Sequence, residues 1–219
     1  MSEQKRVMLS RRTVLKAGAV FGAALAVGVP IQIKNASAAG EGSATKKQMG
    51  FSYDQAKCIG CGLCAKACHD TYHWEEGTEW RKVYTKEAGG QKTFLSMSCN
   101  HCEHCACLSV CPVDAYEKRD DGIVIHHPDK CIGCGYCLYA CPYHAPKLSE
   151  ESGAVFKCHM CYERQDKGEK TVCVATCPTK ALGFGDMAEL SKLAGGTAET
   201  NGLPSAKITN PSFVIIPKK

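Results

Sequence analysis

Two nearly identical cysteine runs are the most informative feature of this 219-residue chain. KCIGCGLCAKAC begins at Lys57 and KCIGCGYCLYAC begins at Lys130, and nine of the twelve positions are identical. Both runs have the spacing C-x2-C-x2-C-x3-C, in which a tight loop presents three thiolates to one iron-sulfur cube. The fourth cysteine of such a run ligates the other cube of a two-cluster pair. Each run therefore predicts a partner run elsewhere in the chain.

Two further groups of cysteines can provide those partners. One has the spacing C-x2-C-x4-C-x3-C and starts at Cys99, and the other has C-x2-C-x11-C-x3-C and starts at Cys158. Together the four groups supply sixteen candidate ligands, enough for four [4Fe-4S] clusters. These ligands are Cys58, Cys61, Cys64, Cys68, Cys99, Cys102, Cys107, Cys111, Cys131, Cys134, Cys137, Cys141, Cys158, Cys161, Cys173 and Cys177. The seventeenth cysteine, Cys105, is interpreted as a packed neutral thiol, with a spare ligand as the alternative.

Zinc sites and disulfide bonds are the main alternatives for so many cysteines. Paired C-x2-C knuckles can form tetrahedral zinc sites, but zinc does not require the third and fourth cysteines that follow at short spacing. A disulfide framework is typical of small secreted chains. The C-x-x-C-H signature of covalent haem attachment is absent from the sequence. The spacing favours iron-sulfur clusters over both alternatives.

The N-terminal segment, residues 1–38, has the pattern of a twin-arginine export signal. Arg11 and Arg12 precede a thirteen-residue apolar run at residues 17–29, and Ala-Ser-Ala at residues 36–38 provides small residues for cleavage. The run is too short to span a bilayer. This route exports folded proteins, so a metal cofactor can be inserted in the reducing cytoplasm before transport. We expect the mature chain in the periplasm or at the outer face of the cytoplasmic membrane.

The distribution of charge excludes one class of partner. The whole chain has a formal net charge of +5, but residues 39–219 carry 21 Lys and Arg against 21 Asp and Glu. Nucleic-acid binding requires a basic surface, so we predict no nucleic-acid partner. No apolar run in this part is long enough for a membrane helix, so we also expect no membrane span in the mature chain.

Short strands and helices are predicted between the cysteine groups. Runs rich in β-forming residues predict strands at residues 80–85, 93–98, 122–126 and 212–216. The motif Cys-Pro-x-x-Ala begins at Cys111, Cys141 and Cys177. Because proline fits the first turn of a helix, a short helix is predicted after each of these cysteines. The expected fold class is α+β, with small units organised around cofactors.

Several longer motifs carry a resemblance to a known family. They are Cys99-Asn-His-Cys102, Cys131-Ile-Gly-Cys134, Ala140-Cys141-Pro142-Tyr143, Cys173-Val-Ala-Thr-Cys177 and residues 208–217. They closely resemble the iron-sulfur (electron-transfer, beta) subunit of the anaerobic dimethyl sulfoxide reductase family of molybdopterin oxidoreductases. The resemblance covers residues 49–219. It implies a duplicated bacterial-type ferredoxin, that is, two dicluster 4Fe-4S modules, with loop insertions and an extended C-terminal tail.

The resemblance also implies how the cysteine groups pair, first with fourth and second with third. Cluster A would be held by Cys58, Cys61, Cys64 and Cys177; cluster B by Cys68, Cys158, Cys161 and Cys173; cluster C by Cys99, Cys102, Cys107 and Cys141; and cluster D by Cys111, Cys131, Cys134 and Cys137. The outer module would comprise residues 48–92 and 149–188, and the inner module residues 93–148. Residues 189–219 would form a tail that lies on a partner.

The function implied by the resemblance needs no catalytic site in this chain. Such a subunit relays electrons through four [4Fe-4S] clusters between a membrane quinol-linked or cytochrome partner and a molybdopterin-type catalytic subunit. A separate subunit would supply any membrane anchor. His101, His104 and His159 lie inside the cluster loops, where we expect them to shape the cluster potentials. The alternatives are a free-standing exported polyferredoxin and a metal-storage protein.

Overall fold

Short strands and short helices alternate along the chain. The computed structural model describes residues 47–88, 90–200 and 202–218, so the predicted export signal lies outside the described residues. The strands are β1 (Met49–Asp54), β2 (Arg81–Ala88), β3 (Gln91–Ser98), β4 (Tyr116–Lys118), β5 (Val124–His126), β6 (Lys147–Leu148), β7 (Val155–Phe156), β8 (Leu182–Asp186) and β9 (Phe213–Ile216). The helices are α1 (Leu63–Tyr72), α2 (Ala106–Ser109), α3 (Tyr136–Ala140), α4 (Tyr162–Gln165), α5 (Val172–Thr176) and α6 (Met187–Leu190). None of these described helices is both long and apolar enough to cross a membrane.

A three-stranded sheet with the order β8-β1-β9 contributes most of the large side chains of the main hydrophobic core. β1 pairs antiparallel with β8 and parallel with β9. Because side chains alternate along a strand, Met49, Phe51 and Tyr53 of β1 enter the core together. Phe51 and Tyr53 are almost fully buried, and burying one large apolar side chain contributes on the order of 2 kcal/mol. The sheet therefore joins segments from the beginning, the last third and the end of the described chain.

Three antiparallel hairpins accompany this sheet, in which β2 pairs with β3, β4 with β5 and β6 with β7. The strands predicted at residues 80–85, 93–98 and 122–126 are confirmed as β2, β3 and β5, with small shifts of their ends. The predicted boundary between the outer and inner modules, at residues 92 and 93, falls inside β3. The fold is thus mixed α and β, as predicted, and the β2-β3 hairpin continues across that boundary.

The two duplicated cysteine runs fold into the same loop. In the first run Gly60 has φ 72° and Gly62 has φ 75°, and in the second Gly133 has φ 68° and Gly135 has φ 75°. Glycine adopts this left-handed backbone without the steric cost of a Cβ. The second glycine of each run is also the N-cap of the helix that follows, α1 or α3. The repeated sequence therefore encodes a repeated backbone geometry.

The prediction of a helix after each Cys-Pro-x-x-Ala motif is wrong. The helices α2, α3 and α5 end before the cysteine, and a turn follows it. The residue before each alanine has left-handed backbone, with φ 49° at Asp114, 50° at His144 and 54° at Lys180. Such a residue stops a helix and lets the alanine N–H return to the cysteine, as where Ala115 N donates to Cys111 Sγ at 3.4 Å. The motif therefore forms a turn in which a backbone N–H can donate a hydrogen bond to the cysteine sulfur.

The prediction that the whole C-terminal tail lies on a partner is wrong for the last strand of the tail. The strand predicted at residues 212–216 is observed as β9, and it pairs with β1 in the central sheet of the same chain. Phe213, Val214 and Ile215 are buried. Next to them, Ser212 Oγ donates to the carbonyl oxygen of His101 at 2.9 Å. Apolar burial and strand pairing thus make this end of the tail a part of the fold.

Substituting Gly133 by alanine should destabilise the protein more than the same change at Gly135. A Cβ at Gly133 would overlap the carbonyl oxygen of Gly153, whereas a Cβ at Gly135 meets only the Tyr139 ring at 4.0 Å. Left-handed backbone costs alanine about 1–2 kcal/mol at either position, and overpacking adds about 1–3 kcal/mol at Gly133 alone. Thermal unfolding of the cluster-loaded protein measures the difference. Equal melting temperatures would contradict this explanation.

Candidate iron-sulfur centres

The cysteines predicted to hold cluster A line one small cavity. They are Cys58, Cys61, Cys64 and Cys177. The loop before α1 and the start of α1 supply the first three, and the turn between α5 and β8 supplies the last. Burial favours the neutral thiol of Cys177, but the N–H groups of Leu182 and Ala181 and the hydroxyl of Thr179 lower its pKa. This turn therefore stabilises a thiolate at the cavity.

The cysteines predicted to hold cluster B are also brought together, and all four are buried. They are Cys68, Cys158, Cys161 and Cys173. Burial, followed by the charges of Cys158 and Cys173, raises the pKa of Cys68. Burial likewise raises the pKa of Cys161, and the hydroxyl of Tyr72 opposes that increase. Three separate segments, α1, the loop before α4 and α5, meet at this point.

A second cavity is lined by the cysteines predicted for cluster C and by Cys105. The predicted ligands are Cys99, Cys102, Cys107 and Cys141. Four buried polar atoms on other lining residues have no hydrogen-bond partner in the described part of the chain: Asn100 Nδ2, His101 Nε2, Tyr143 OH and Thr209 Oγ1. His101 Nδ1 accepts the N–H of Val124 at 2.9 Å, so the proton lies on Nε2. Unpaired buried donors are costly, and the sulfur atoms of a cluster would accept them.

The second duplicated run and Cys111 form the candidate centre for cluster D. Cys111, Cys131 and Cys137 belong to the second hydrophobic core, together with Tyr116. Burial raises the pKa of Cys137, the hydroxyl of Tyr116 lowers it, and the charges of Cys131 and Cys134 raise it further. Gly133 N donates to Cys131 Sγ at 3.4 Å. Val155 N donates to the same sulfur at 3.5 Å, so this centre has thiols and at least two backbone hydrogen-bond donors around it.

The donor set fits iron-sulfur clusters because these buried thiols need a positive charge before they can ionise. Burial raises the pKa of Cys102 to about 12, and it raises the pKa of Cys158 to about 12 despite the opposing charge of Arg81. Iron bound by thiolates would supply the missing positive charge and displace the protons. We therefore expect folding and cluster binding to be coupled.

The four sets of cysteines follow one another in the order A, B, C, D. Burial raises the pKa of Cys64 in set A, and the Ser96 hydroxyl and Arg81 oppose that increase. The charge of Cys173 in set B raises this pKa further. The charge of Cys99 in set C similarly raises the pKa of Cys158 in set B. Burial and then Cys137 of set D raise the pKa of Tyr116, with smaller effects from Cys107 and Cys99 of set C. Sets A and B also share the main hydrophobic core, and sets C and D share the second core. Lys157, which lines the cavity of set C, donates to the carbonyl oxygen of Cys158 in set B, so the sets form one line of neighbours, A-B-C-D.

Cys105 has a hydrogen-bond partner of its own. Its Sγ donates to the carbonyl oxygen of Cys102 at 2.8 Å. Burial raises the pKa of Cys105 to about 11, although Lys118 opposes this. A thiol that already donates to a carbonyl oxygen is held in its neutral form. These contacts support the interpretation of Cys105 as a packed neutral thiol.

Two buried cations near these centres could not be recognised in the sequence. Lys157 is 3% exposed, and its Nζ donates to the carbonyl oxygens of Val124 and Cys158. Arg81 is 2% exposed and donates to the hydroxyls of Ser96 and Ser98. Lysine and arginine are usually exposed, and neither position carries a local motif that distinguishes it. Of the histidines expected to shape the potentials, His101 is buried, His159 is half-buried and His104 is exposed.

Comparison with known proteins agrees with this geometry. Two family models described as 4Fe-4S dicluster domain match residues 57–115 and 91–187. The protein is 44% identical to the B subunit of anaerobic dimethyl sulfoxide reductase from Escherichia coli (strain K12) over 183 residues, which cover 78% of this chain and 89% of the relative.

Two relatives from other enzymes are similar over a shorter part of the chain. The formate dehydrogenase iron-sulfur subunit of Wolinella succinogenes is 39% identical over 165 residues, 64% of this chain and 82% of the relative. The thiosulfate reductase electron transfer subunit PhsB of Salmonella typhi is 38% identical over 152 residues, 65% of this chain and 79% of the relative. These matches confirm the resemblance noted in the sequence and favour 4Fe-4S clusters over zinc. The chain therefore belongs to the family of 4Fe-4S electron-transfer subunits that includes the B subunit of anaerobic dimethyl sulfoxide reductase.

Proposed function

We propose that this chain relays electrons through four [4Fe-4S] clusters, held by the ligand sets A, B, C and D. The order in which the four sets adjoin one another carries this proposal. Bound clusters supply reversible one-electron storage. The protein supplies the thiolates, the hydrogen-bond donors and the dry surroundings that tune the cluster potentials. The chemistry on the terminal substrate would belong to a partner subunit.

Both ends of this line of clusters reach the surface. Of the seventeen cysteines only Cys61 in set A and Cys134 in set D are exposed. Ile59 and Ile132, two residues before these cysteines, are 62% and 64% exposed. Tyr139, in the helix after Cys134, is 89% exposed. An exposed apolar side chain beside a ligand cysteine favours a docking surface, because a partner that covers it brings its own cofactor close to the cluster.

The relatives indicate what those partners are. They are subunits of two reductases and a dehydrogenase. We assign one end of the line to a molybdopterin-type catalytic subunit and the other to a membrane quinol-linked or cytochrome partner, with any membrane anchor on a separate subunit. A free-standing polyferredoxin would need no partner-specific surface, and its relatives would not be expected among the subunits of enzymes.

The ligand sets also divide the chain into two ferredoxin-type modules. Sets A and B belong to the outer module, residues 48–92 and 149–188, and sets C and D to the inner module, residues 93–148. The common loop geometry of the two duplicated runs supports this duplication. We further propose that residues 1–38 direct the folded, cluster-loaded chain to the periplasm by the twin-arginine route, since thiol ligands are best filled in a reducing compartment.

Paired cysteine substitutions test the exchange of fourth ligands between runs. A Cys68→Ala/Cys161→Ala double variant should lose one cluster, because both cysteines are assigned to cluster B. Cys61→Ala/Cys68→Ala should lose two clusters, although both cysteines belong to one run. Iron and acid-labile sulfide per chain, together with low-temperature EPR of the reduced protein, measure how many clusters remain.

Cys105→Ala is the matched control for these variants. Its thiol donates to a backbone carbonyl oxygen, so this variant should retain all four clusters of the unsubstituted chain. If the Cys61→Ala/Cys68→Ala variant lost only one cluster, both cysteines would serve the same cube and the exchange would be wrong. An unsubstituted chain with no reducible cluster would contradict the proposed function as a whole.

Charged substitutions at the ends of the line should slow electron exchange with a partner while leaving the clusters intact. We expect Ile59→Glu and Ile132→Glu each to slow transfer at their own end by roughly tenfold, because a charge in place of the exposed apolar side chain weakens docking. A tenfold loss of affinity corresponds to about 1.4 kcal/mol. Tyr84→Glu, at a position on β2 that is 49% exposed, is the control. Stopped-flow absorbance of the clusters, mixed with each purified partner, measures the rates. Identical rates in all three variants would argue for a carrier without fixed docking surfaces.

Replacing the paired arginines should block export. We expect an Arg11→Lys/Arg12→Lys variant to remain in the cytoplasm with residues 1–38 uncleaved and its clusters bound. Arg6→Lys changes an arginine outside the pair and should be exported normally. Cell fractionation followed by mass determination measures both outcomes. Normal export of the double variant would contradict the twin-arginine route.

A further inference from the structure

Arg81, the first residue of β2, is a cation inside the protein. Its side chain is buried, and the residue is 2% exposed. Its Nη1 donates to Ser96 Oγ at 3.0 Å and its Nη2 donates to Ser98 Oγ at 2.8 Å. The guanidinium carbon lies 4.9 Å from the centre of the Phe51 ring. These neighbours orient the guanidinium group, but none of them carries a negative charge.

The arginines of the described chain differ in how their charge is balanced. Arg119 pairs with Asp166 at 2.7 Å and with Asp121 at 3.2 Å, and it is partly exposed. Arg164 pairs with Glu169 at 2.8 Å. Within residues 47–88, 90–200 and 202–218, no carboxylate lies within 4.0 Å of Arg81. A buried charge without a counter-charge is strongly unfavourable, so the balancing charge must come from another chemical group.

The groups around Arg81 are ligand cysteines from two different clusters. Burial by itself would lower the pKa of Arg81, but the thiolate charges of Cys173, Cys158, Cys64 and Cys68 raise it. Cys64 belongs to set A, and the other three belong to set B. Arg81 also lines a groove with Ala65 and His69 of α1, the helix that carries Cys64 of set A and Cys68 of set B. It therefore lies beside both sets, where a bound pair of clusters would surround it with negative charge.

Ser96 connects Arg81 to one of these centres through hydrogen bonds. Ser96 Oγ accepts from Arg81 Nη1 and lies 3.4 Å from Cys64 Sγ. Since the hydroxyl already accepts from the guanidinium group, its own proton is free to be donated to the thiolate of Cys64. A hydroxyl polarised by a cation is a stronger donor than an isolated one. No corresponding hydroxyl bridge from Arg81 to the cysteines of set B occurs among the described residues.

We propose that Arg81 is the shared counter-ion of clusters A and B and raises the reduction potentials of both, and that Ser96 raises the potential of cluster A alone. Reduction adds an electron to a cluster that is already surrounded by four thiolates. A fixed cation in surroundings of low dielectric constant stabilises the added charge, and hydrogen bonds to the cluster sulfurs act in the same direction. This inference rests on the proposed function, because it requires the ligand sets A and B to hold clusters.

Two substitutions at position 81 separate charge from shape. Arg81→Gln removes the charge and keeps a polar side chain, whereas Arg81→Lys keeps the charge and removes the planar fork. In a potentiometric titration of the full-length, cluster-loaded chain followed by EPR, we expect Arg81→Gln to make two of the four midpoint potentials more negative. A tenfold loss in the one-electron reduction equilibrium corresponds to 59 mV. Arg81→Lys should shift the same two potentials by less.

Two further variants make the test independent of whether Arg81→Gln retains its clusters. Ser96→Ala removes the bridging hydroxyl and leaves the guanidinium group in place, so one potential of the four should become more negative. Arg119→Gln neutralises a paired, partly exposed arginine and should leave all four potentials unchanged. Iron content per chain confirms that the variants being compared carry the same number of clusters.

Each outcome decides for or against the role of Arg81. Equal shifts in Arg81→Gln and Arg81→Lys would show that shape and not charge is responsible, which would overturn the proposal. Unchanged potentials in Ser96→Ala would overturn the role of Ser96. If Arg81→Gln failed to retain its clusters, Arg81→Lys alone would decide, and a shift beyond a tenfold change in the reduction equilibrium would overturn the counter-ion role. Absence of reducible clusters in the unsubstituted chain would instead refute the proposed function.

Discussion

Negative charge on buried sulfur atoms is the constraint on which the rest of this structure depends. Thiolates in a protein interior are unfavourable unless positive charge or hydrogen-bond donors lie nearby, and burial raises the pKa of Cys158 and Cys102 to about 12. The structure meets this demand with backbone N–H groups, with hydroxyls such as that of Tyr116, and with two buried cations, Arg81 and Lys157. Iron would supply the remaining positive charge. Both hydrophobic cores accordingly contain cysteines.

The backbone is shaped to serve these sulfur atoms. Left-handed glycines in the two duplicated runs turn each loop in the same way before a helix begins. Left-handed residues before the alanine of each Cys-Pro-x-x-Ala motif keep the turn after the cysteine from continuing as a helix and direct an N–H group to sulfur, as at Ala115 and Cys111. Secondary structure in this protein follows from ligand placement more than from intrinsic propensity.

The arrangement of the centres agrees with the function of the family to which the chain belongs. The four sets of cysteines follow one another, and only the two end sets have an exposed cysteine, Cys61 or Cys134. Electrons could therefore enter and leave at the ends, while the centres between them stay dry. The duplicated sequence supplies both exposed ends. The buried Arg81 lies beside the helix that carries Cys64 and Cys68, whereas Lys157 lines the cavity of set C.

The cysteine spacing by itself determined the kind of cofactor, the number of candidate ligands and the form of the loops, because three ligands of one cube come from a few adjacent residues. Runs rich in β-forming residues likewise identified β2, β3, β5 and the last strand, β9. Only the tertiary structure decided that β9 pairs with β1 and that the buried Arg81 lies beside the helix that carries Cys64 and Cys68. It also decided that the Cys-Pro motifs form turns. The first two features depend on contacts between segments far apart in the chain, for which no local pattern exists. The turns depend on a left-handed residue that the proline pattern did not reveal.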